Sequence, residues 1–295
     1  MDIRWKRLLV VSALVMALIP AFAQLGKIDP TLLGKATAGD AQSQYLVGQA
    51  YLQGKGVEQD YTQAAAWYLK AAEQGHAQAQ YQLGVLFHSG QGVPQSDAEA
   101  AAWYGKAADQ GVAGAQLNLG VLYDHGEGVS QDYAQAADLY RKAALQGVAE
   151  AQYNLGTLYE KGIGVPQDYA QAADLYRRAA DQGNASAEFN LGLLYDNGQG
   201  VDRDYARAAA LYTKAAEQGL PRAQYNLGSI YAGGQGVPMN YGEAYFWLDL
   251  AANTWNGARQ QQAVTARDRV AERLTPPELA KAQGRAAKWL AGHQK

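Results

Sequence analysis

Cysteine is absent from this chain of 295 residues, so the chain forms no disulfides and has no cysteine for a bacterial lipid anchor. Several catalytic signatures are also missing. The sequence contains no Gly-x-Ser-x-Gly, no His-Glu-x-x-His, no Ser-x-x-Lys and no phosphate-binding glycine loop before a strand. We therefore predict no catalytic residues, no metal site and no cofactor.

Charged residues are few, at 18% of the chain, and they are unevenly placed. Residues 24–254 hold 14 basic and 24 acidic residues, whereas residues 255–295 hold 8 basic and 3 acidic ones. An acidic body repels the phosphates of nucleic acid. We therefore predict that nucleic acid is not a partner.

The N-terminus has the pattern of a secretory signal peptide. Three basic residues lie within the first seven positions, an apolar run covers residues 8–19, and the small-residue pattern Ala21-Phe22-Ala23 follows. Twelve helical residues span only about 18 Å, which is short of the roughly 30 Å hydrocarbon core of a membrane. We expect cleavage after Ala23, no stable membrane insertion of the mature chain, and a periplasmic or secreted protein.

A Leu-Gly pair or close variant recurs every 36 residues, and a Gly-x-Gly followed by an aliphatic residue keeps the same spacing. A fixed period of this kind indicates stacked helical units. The pairs are Val47-Gly48, Leu83-Gly84, Leu119-Gly120, Leu155-Gly156, Leu191-Gly192 and Leu227-Gly228. We predict an all-α solenoid of six repeats at 39–74, 75–110, 111–146, 147–182, 183–218 and 219–254.

The repeat at 147–182 shows how each unit forms two helices. Apolar residues at helical spacing predict helix A over 150–161, which the glycines and Pro166 of the following loop terminate. Asp168 is a preferred N-cap for helix B, predicted over 169–182. Each Leu-Gly glycine costs about 1 kcal/mol in a helix, so we expect helices A and B to approach closely there.

Two segments flank the repeats. Residues 30–38 have the character of a helix B, so residues 24–38 are predicted to form a capping half-repeat at the N-terminal end. Residues 258–274 and 278–291, separated by Thr275-Pro276-Pro277, predict two capping helices within 255–295. Terminal repeats need such caps because part of their apolar surface has no neighbour.

The repeated phrases resemble the Sel-1-like repeat family, a relative of the tetratricopeptide repeat. They are Ala-Gln-Tyr-Asn-Leu-Gly at residues 151–156 and 223–228, Gly-x-Gly-Val-x-x-Asp-Tyr, and Ala-Ala-x-x-Tyr-x-Lys-Ala-Ala-x-Gln-Gly. The resemblance implies a right-handed superhelix of paired helices with a concave surface formed mainly by the A helices. It also implies a role as an adaptor or regulator.

One face of helix A carries a candidate binding surface, because it has no predicted packing role inside its own repeat. An asparagine recurs on it, with variable polar companions. The candidates are Asn118, Asn154, Asn190 and Asn226, accompanied by Glu150, Thr157, Lys161 and Arg222. A side-chain amide both donates and accepts, so such a row suits the backbone of a peptide. Equally, these asparagines can bond within or between repeats and hold the curvature.

Three functions follow as hypotheses. The first is an exported scaffold that binds a protein or peptide on the A-helix face and regulates an envelope sensor or enzyme. The second is a weak β-lactamase-like or cell-wall-ligand-binding envelope protein, which the absence of a nucleophile with a base disfavours. The third is a secreted virulence factor that binds a host protein. His88 and His125, beside Asp124, lack a fixed ligand spacing, and we interpret them as solvent-facing.

Overall fold

The structure is a computed structural model that describes residues 28–293, and within this range every regular element is an α-helix. The predicted signal peptide lies outside the described residues. The helices are α1 (Pro30–Thr37), α2 (Ala41–Gln53), α3 (Tyr61–Glu73), α4 (Ala77–Ser89), α5 (Asp97–Asp109), α6 (Ala113–His125), α7 (Tyr133–Leu145), α8 (Ala149–Lys161), α9 (Tyr169–Ala180), α10 (Ala185–Asn197), α11 (Tyr205–Glu217), α12 (Pro221–Gly233), α13 (Tyr241–Thr254), α14 (Gly257–Ala271) and α15 (Pro276–His293). The predicted all-α class is confirmed.

The helices belong to two compact units, one ending at Gln95 and one beginning at Ser96. The even-numbered helices from α2 to α12 are the predicted A helices, and the odd-numbered ones from α3 to α13 are the B helices. From α1 to α4 and from α5 to α14, each helix packs on the next one in sequence, and α15 packs on α13. Each unit is therefore built from helix pairs stacked in chain order.

N-cap side chains mark the start of the B helices. Asp168 accepts hydrogen bonds from the backbone N–H groups of Ala170 and Gln171 at the start of α9. At the equivalent position before the other B helices, five side chains accept from backbone N–H groups in the same way: Asp60, Ser96, Asp132, Asp204 and Asn240. Helix α9 ends at Ala180, two residues earlier than predicted, because the chain tightens there before Gly183.

The close approach of helices A and B is confirmed, and four of the glycines face a buried tyrosine ring, whereas Gly228 faces Leu248. A Cβ on Gly156 would lie 2.9 Å from Cε1 of Tyr176 in α9. Gly48, Gly120 and Gly192 face Tyr68, Tyr140 and Tyr212 in the same way. Burial of a large ring against a bare helix backbone is the gain that offsets the low helix propensity of glycine.

The loops between helices A and B also pack tightly. A Cβ on Gly164, in the loop after α8, would lie 2.4 Å from the backbone carbonyl carbon of Tyr133 at the start of α7. The equivalent glycines make the same approach: Gly92 to Tyr61, Gly128 to Asp97, Gly200 to Tyr169 and Gly236 to Tyr205. Each of these five loops thus rests on the first turn of the preceding B helix.

The C-terminal helices cover the last repeat. Ala282 of α15 and Val270 of α14 pack in one cluster with Tyr245 and Leu248 of α13. A second cluster joins Ala286, Trp289 and Leu290 of α15 to Phe246 and Trp247 of α13. The predicted bounds of α14 and α15 are correct to within three residues.

Candidate binding surface on the A helices

The row of asparagines lies at one equivalent position in four successive A helices of the second unit. Asn118, Asn154, Asn190 and Asn226 belong to α6, α8, α10 and α12, and each is half-buried. Each is the sixth residue of its helix, which places all four in the second turn. The asparagine surface is the name used below for these four residues.

Asn190 is held by a hydrogen bond across the junction between two repeats. Its Nδ2 donates to the hydroxyl oxygen of Tyr176 in α9, at 3.1 Å. The Tyr176 hydroxyl in turn donates to the carboxylate of Glu160, near the end of α8. We call this set of a B-helix tyrosine, a carboxylate of the same repeat and the asparagine of the next repeat a tyrosine bridge.

The tyrosine and the carboxylate of the bridge are paired in two further repeats of the second unit. Tyr140 donates to Asp124 at 3.2 Å, and Tyr212 donates to Asp196 at 3.3 Å. Asn154 and Asn226, each from the next repeat, are polar neighbours of these two hydroxyls. The interpretation that the asparagines bond between repeats is supported by the hydrogen bond of Asn190 and by the equivalent places of Asn154 and Asn226.

The first repeat lacks the carboxylate and the asparagine, which shows what the third, fourth and fifth repeats gain from them. Leu52 replaces the carboxylate and Gln82 replaces the asparagine of the next repeat. The hydroxyl of Tyr68 is buried without a hydrogen-bond partner among the described residues. Leaving a buried hydroxyl unpaired costs about 1–3 kcal/mol.

The bridging hydroxyls keep their protons. Burial raises the pKa of Tyr176, and its hydrogen bond to Glu160 raises it further. Burial is also the main cause that raises the pKa of Tyr140 and of Tyr212, and the nearby carboxylate is the second cause. A neutral phenol beside a carboxylate is a donor, so each hydroxyl stays directed at its acidic partner.

The polar companions of the asparagines differ in their surroundings. Thr157 lies 3.1 Å from the Tyr176 hydroxyl and so joins the same bridge as Asn190. Because Tyr176 is in the repeat of Thr157, the prediction that this face has no packing role in its own repeat is wrong at this position. Glu150 and Lys161 are exposed at opposite ends of α8, about 16 Å apart along the helix axis. Exposed Arg222 has its guanidinium carbon 5.0 Å from the centroid of the Phe189 ring.

The titratable groups of the described chain do not assemble a metal site. Within residues 28–293, no group of three His, Cys, Asp or Glu side chains is placed to hold an ion. His125 is exposed, with Nδ1 2.9 Å from the Val121 carbonyl oxygen, and His88 is exposed as well. Across the same range, none of the helices combines the length and the apolar character that crossing a membrane requires.

Sequence reasoning missed a second row, made of buried glutamines in the first turn of the A helices. In α8, Gln152 donates from Nε2 to the Ala144 carbonyl at 3.2 Å, and accepts from Gln182 at 2.8 Å. The same amide-to-carbonyl bond links Gln44 to Ala36, Gln80 to Ala72, Gln116 to Ala108 and Gln224 to Ala216. The signal was present in the sequence, since five of the six repeats have glutamine at this position.

The comparisons with known proteins agree with this architecture. The Sel1 repeat model matches residues 41–76, 77–112, 113–148, 149–184, 185–220 and 221–253. Each match begins two residues after the first residue of the corresponding predicted unit. No curated protein matches the chain.

Two crystal structures share both sequence and fold with the chain. One is c5321, a protective antigen present in uropathogenic Escherichia coli strains that displays an SLR fold, with 36% identity and a TM-score of 0.76. That match covers 89% of this chain and 56% of the antigen. The other is a Sel1 repeat protein from Oxalobacter formigenes, with 34% identity, a TM-score of 0.69 and coverage of 76% of this chain and 92% of that one.

Proteins built from Sel1 repeats are in general α-solenoid scaffolds for protein–protein interaction and are typically not enzymes. Six matched repeats here span residues 41–253, and the helix pairs, loops and glycine contacts recur with the same period. The chain belongs to the Sel1 repeat family.

Proposed function

We propose that this protein is an exported scaffold that binds another protein or a peptide on its asparagine surface and thereby regulates an envelope sensor or enzyme. The observation that carries the proposal is the bridge that holds the Asn190 amide, together with Asn154 and Asn226 beside the equivalent tyrosine hydroxyls of two other repeats. This arrangement gives a partner a row of oriented polar groups.

A bridged asparagine retains capacity for a partner. An amide has two donor hydrogens and one acceptor oxygen, and the bond from Asn190 to Tyr176 uses one donor. The bridge also limits the rotamers of the side chain, so less entropy is lost when a partner binds. The two interpretations of the asparagine row are therefore compatible.

Charged residues around the row favour a partner segment that itself carries charge. Glu150 and Lys161 flank Asn154 on α8, and Arg222 stacks on Phe189 next to Asn190 in sequence. Exposed groups of both signs orient a charged peptide or loop more than they strengthen its binding. Specific recognition would then come from the amides.

The test replaces the two central asparagines. A partner captured from envelope extract and purified should bind the variant Asn154→Ala/Asn190→Ala roughly five- to a hundred-fold more weakly than the wild type, because each lost hydrogen bond costs about 0.5–1.5 kcal/mol. Titration calorimetry measures the affinity, and circular dichroism should show unchanged helix content.

Two controls separate binding from structure. The pair Asp138→Ala/Asp174→Ala removes exposed carboxylates that form only surface ion pairs on the B helices, and affinity should change little. Tyr176→Phe breaks a bridge but leaves Asn190 in place, so it should lower stability more than affinity. Loss of binding in the aspartate pair with normal binding in the asparagine pair would refute the proposed surface. Unfolding of the asparagine pair would show that the row is structural only.

Export rests on the N-terminal pattern, which lies outside the described residues. We expect the protein isolated from a periplasmic fraction to begin at Gln24 and so to lack the apolar run at residues 8–19. Intact-mass measurement checks this, with allowance for cyclisation of the terminal glutamine. A full-length chain that retains Met1 and sediments with membranes would contradict export.

A second function, a secreted virulence factor that binds a host protein, is favoured by the 36% identity with c5321, a protective antigen in uropathogenic Escherichia coli. This chain spans 56% of that antigen's length. The two proposals differ in the source of the partner. Capture from host-cell extract, and not from envelope extract, would support the second.

A further inference from the structure

The fifth repeat departs from the buried glutamine row by a single chemical group. Glu188, in the first turn of α10, stands where the other five repeats have Gln44, Gln80, Gln116, Gln152 and Gln224. It is as buried as they are, with only 3% of its surface exposed. A carboxyl group is therefore held in a site that elsewhere holds a neutral amide.

The hydrogen bonds of this site require a donor. In the other five repeats the amide nitrogen donates to the alanine carbonyl eight residues earlier, at 3.0–3.2 Å. The corresponding carbonyl for Glu188 is that of Ala180, at the end of α9. Gln218 already donates to Oε2 of Glu188 at 2.7 Å, as Gln182 does to Gln152. An ionised carboxylate has no hydrogen to offer Ala180, whereas a protonated carboxyl group has one.

The groups that favour an ionised Glu188 do not outweigh its burial. Lys214 of α11 and the hydrogen bond from Gln218 favour the carboxylate, while Glu217 of α11 opposes it. From α9, Arg177 and Arg178 are paired with Asp174, and Asp181 is exposed. Burial is the largest influence, and it raises the pKa of Glu188.

We propose that the folded protein holds Glu188 protonated, with its carboxyl O–H donating to the Ala180 carbonyl, and that release of this proton to water weakens the junction between the fourth and fifth repeats. Asn190 lies on the same helix and bonds across the same junction to Tyr176. The proton on Glu188 thus controls how firmly α10 is held against α9.

The sign of the pH dependence follows from the raised pKa. The folded state binds the proton more tightly than the unfolded state, so the stabilising contribution is complete below the ordinary glutamate pKa of 4.5. It is lost as the pH rises through the pKa of the folded state. The wild type should therefore lose stability on going from mildly acidic to neutral pH, unlike a variant with glutamine at this position.

The experiment compares the wild type with Glu188→Gln, which supplies a permanent donor, and with Gln152→Glu, which places the same carboxyl group in the preceding repeat. The 13Cδ shift of Glu188, assigned by its absence in Glu188→Gln, should titrate with a midpoint above 4.5. For each unit by which the pKa of Glu188 in the folded protein exceeds 4.5, Glu188→Gln should melt roughly 2–5 °C above the wild type at pH 8. At pH 4 the two proteins should differ little in melting temperature. Gln152→Glu should acquire the same fall with pH.

Hydrogen exchange, corrected for the intrinsic pH dependence, locates the effect. Amides of α10 should be less protected in the wild type than in Glu188→Gln at pH 8, and similarly protected at pH 4. A midpoint at or below 4.5, or parallel melting profiles for the wild type and Glu188→Gln, would overturn the proposal.

Discussion

Gly164→Ala should destabilise the protein by roughly 2–5 kcal/mol. Gly164 has a φ of +71°, and an added Cβ would lie 2.4 Å from the backbone of Tyr133. A side chain in this left-handed conformation costs about 1–2 kcal/mol, and overpacking adds about 1–3 kcal/mol. The contact atom belongs to the first turn of α7, so it can move only by shifting a helix. A fall of roughly 10 °C in melting temperature is the measured result expected.

Gly147→Ala is the matched control. Gly147 also has a positive φ, of +90°, yet nothing lies within 4 Å of its would-be Cβ. Gly147→Ala should lower the free energy of unfolding only by the cost of the left-handed backbone conformation, about 1–2 kcal/mol. Equal losses in the two variants would show that the loop does not hold the preceding B helix through this contact.

Removing residues 255–295 should cause aggregation or a large fall in melting temperature. The deletion exposes Phe246 and Trp247 of α13, which are buried against α15. It also removes the ion pair of Arg285 with Glu243. An exposed apolar face on the last repeat is free to contact another copy. Light scattering and thermal denaturation measure the two outcomes, and helix content should fall only about in proportion to the residues lost.

Single substitutions distinguish the loss of packing on α13 from the effect of shortening the chain. Trp289→Ala removes an aromatic side chain that packs on α13 and should reproduce part of the loss. Lys288→Ala, at an exposed neighbouring position, should melt like the wild type. A soluble truncation as stable as the full chain would show that α14 and α15 do not cap the repeats.

The helices could be predicted closely because their determinants are local. The Asp, Ser or Asn before each B helix and the glycine after each A helix act within a few residues of chain, and the 36-residue period repeats them. Helix ends were less accurate where the last turn tightens, as at Ala180. The close contact at Gly156 could be predicted from the free-energy cost of a glycine inside a helix. Its partner in that contact, Tyr176, could be identified only from the structure.

The candidate surface was only half predictable. The positions of Asn154 and Asn190 follow from helical periodicity, but their partners lie 14 residues earlier on another helix, and no local pattern specifies that pairing. Glu188 was missed for a related reason. A glutamate at a position that other repeats fill with glutamine is expected, from the sequence alone, to face solvent. Its burial in the structure shows that the site favours a neutral donor.

The tyrosine bridges also bear on how the chain can change its length. Each takes a tyrosine and a carboxylate from one repeat and places the asparagine of the next repeat beside them, at constant separations in the sequence. Excising residues 147–182 from the gene would bring Asn190 to the place of Asn154, opposite Tyr140. Unequal recombination among the repeats that carry these residues can therefore add or remove 36 residues and keep the same three residue types at the new junction.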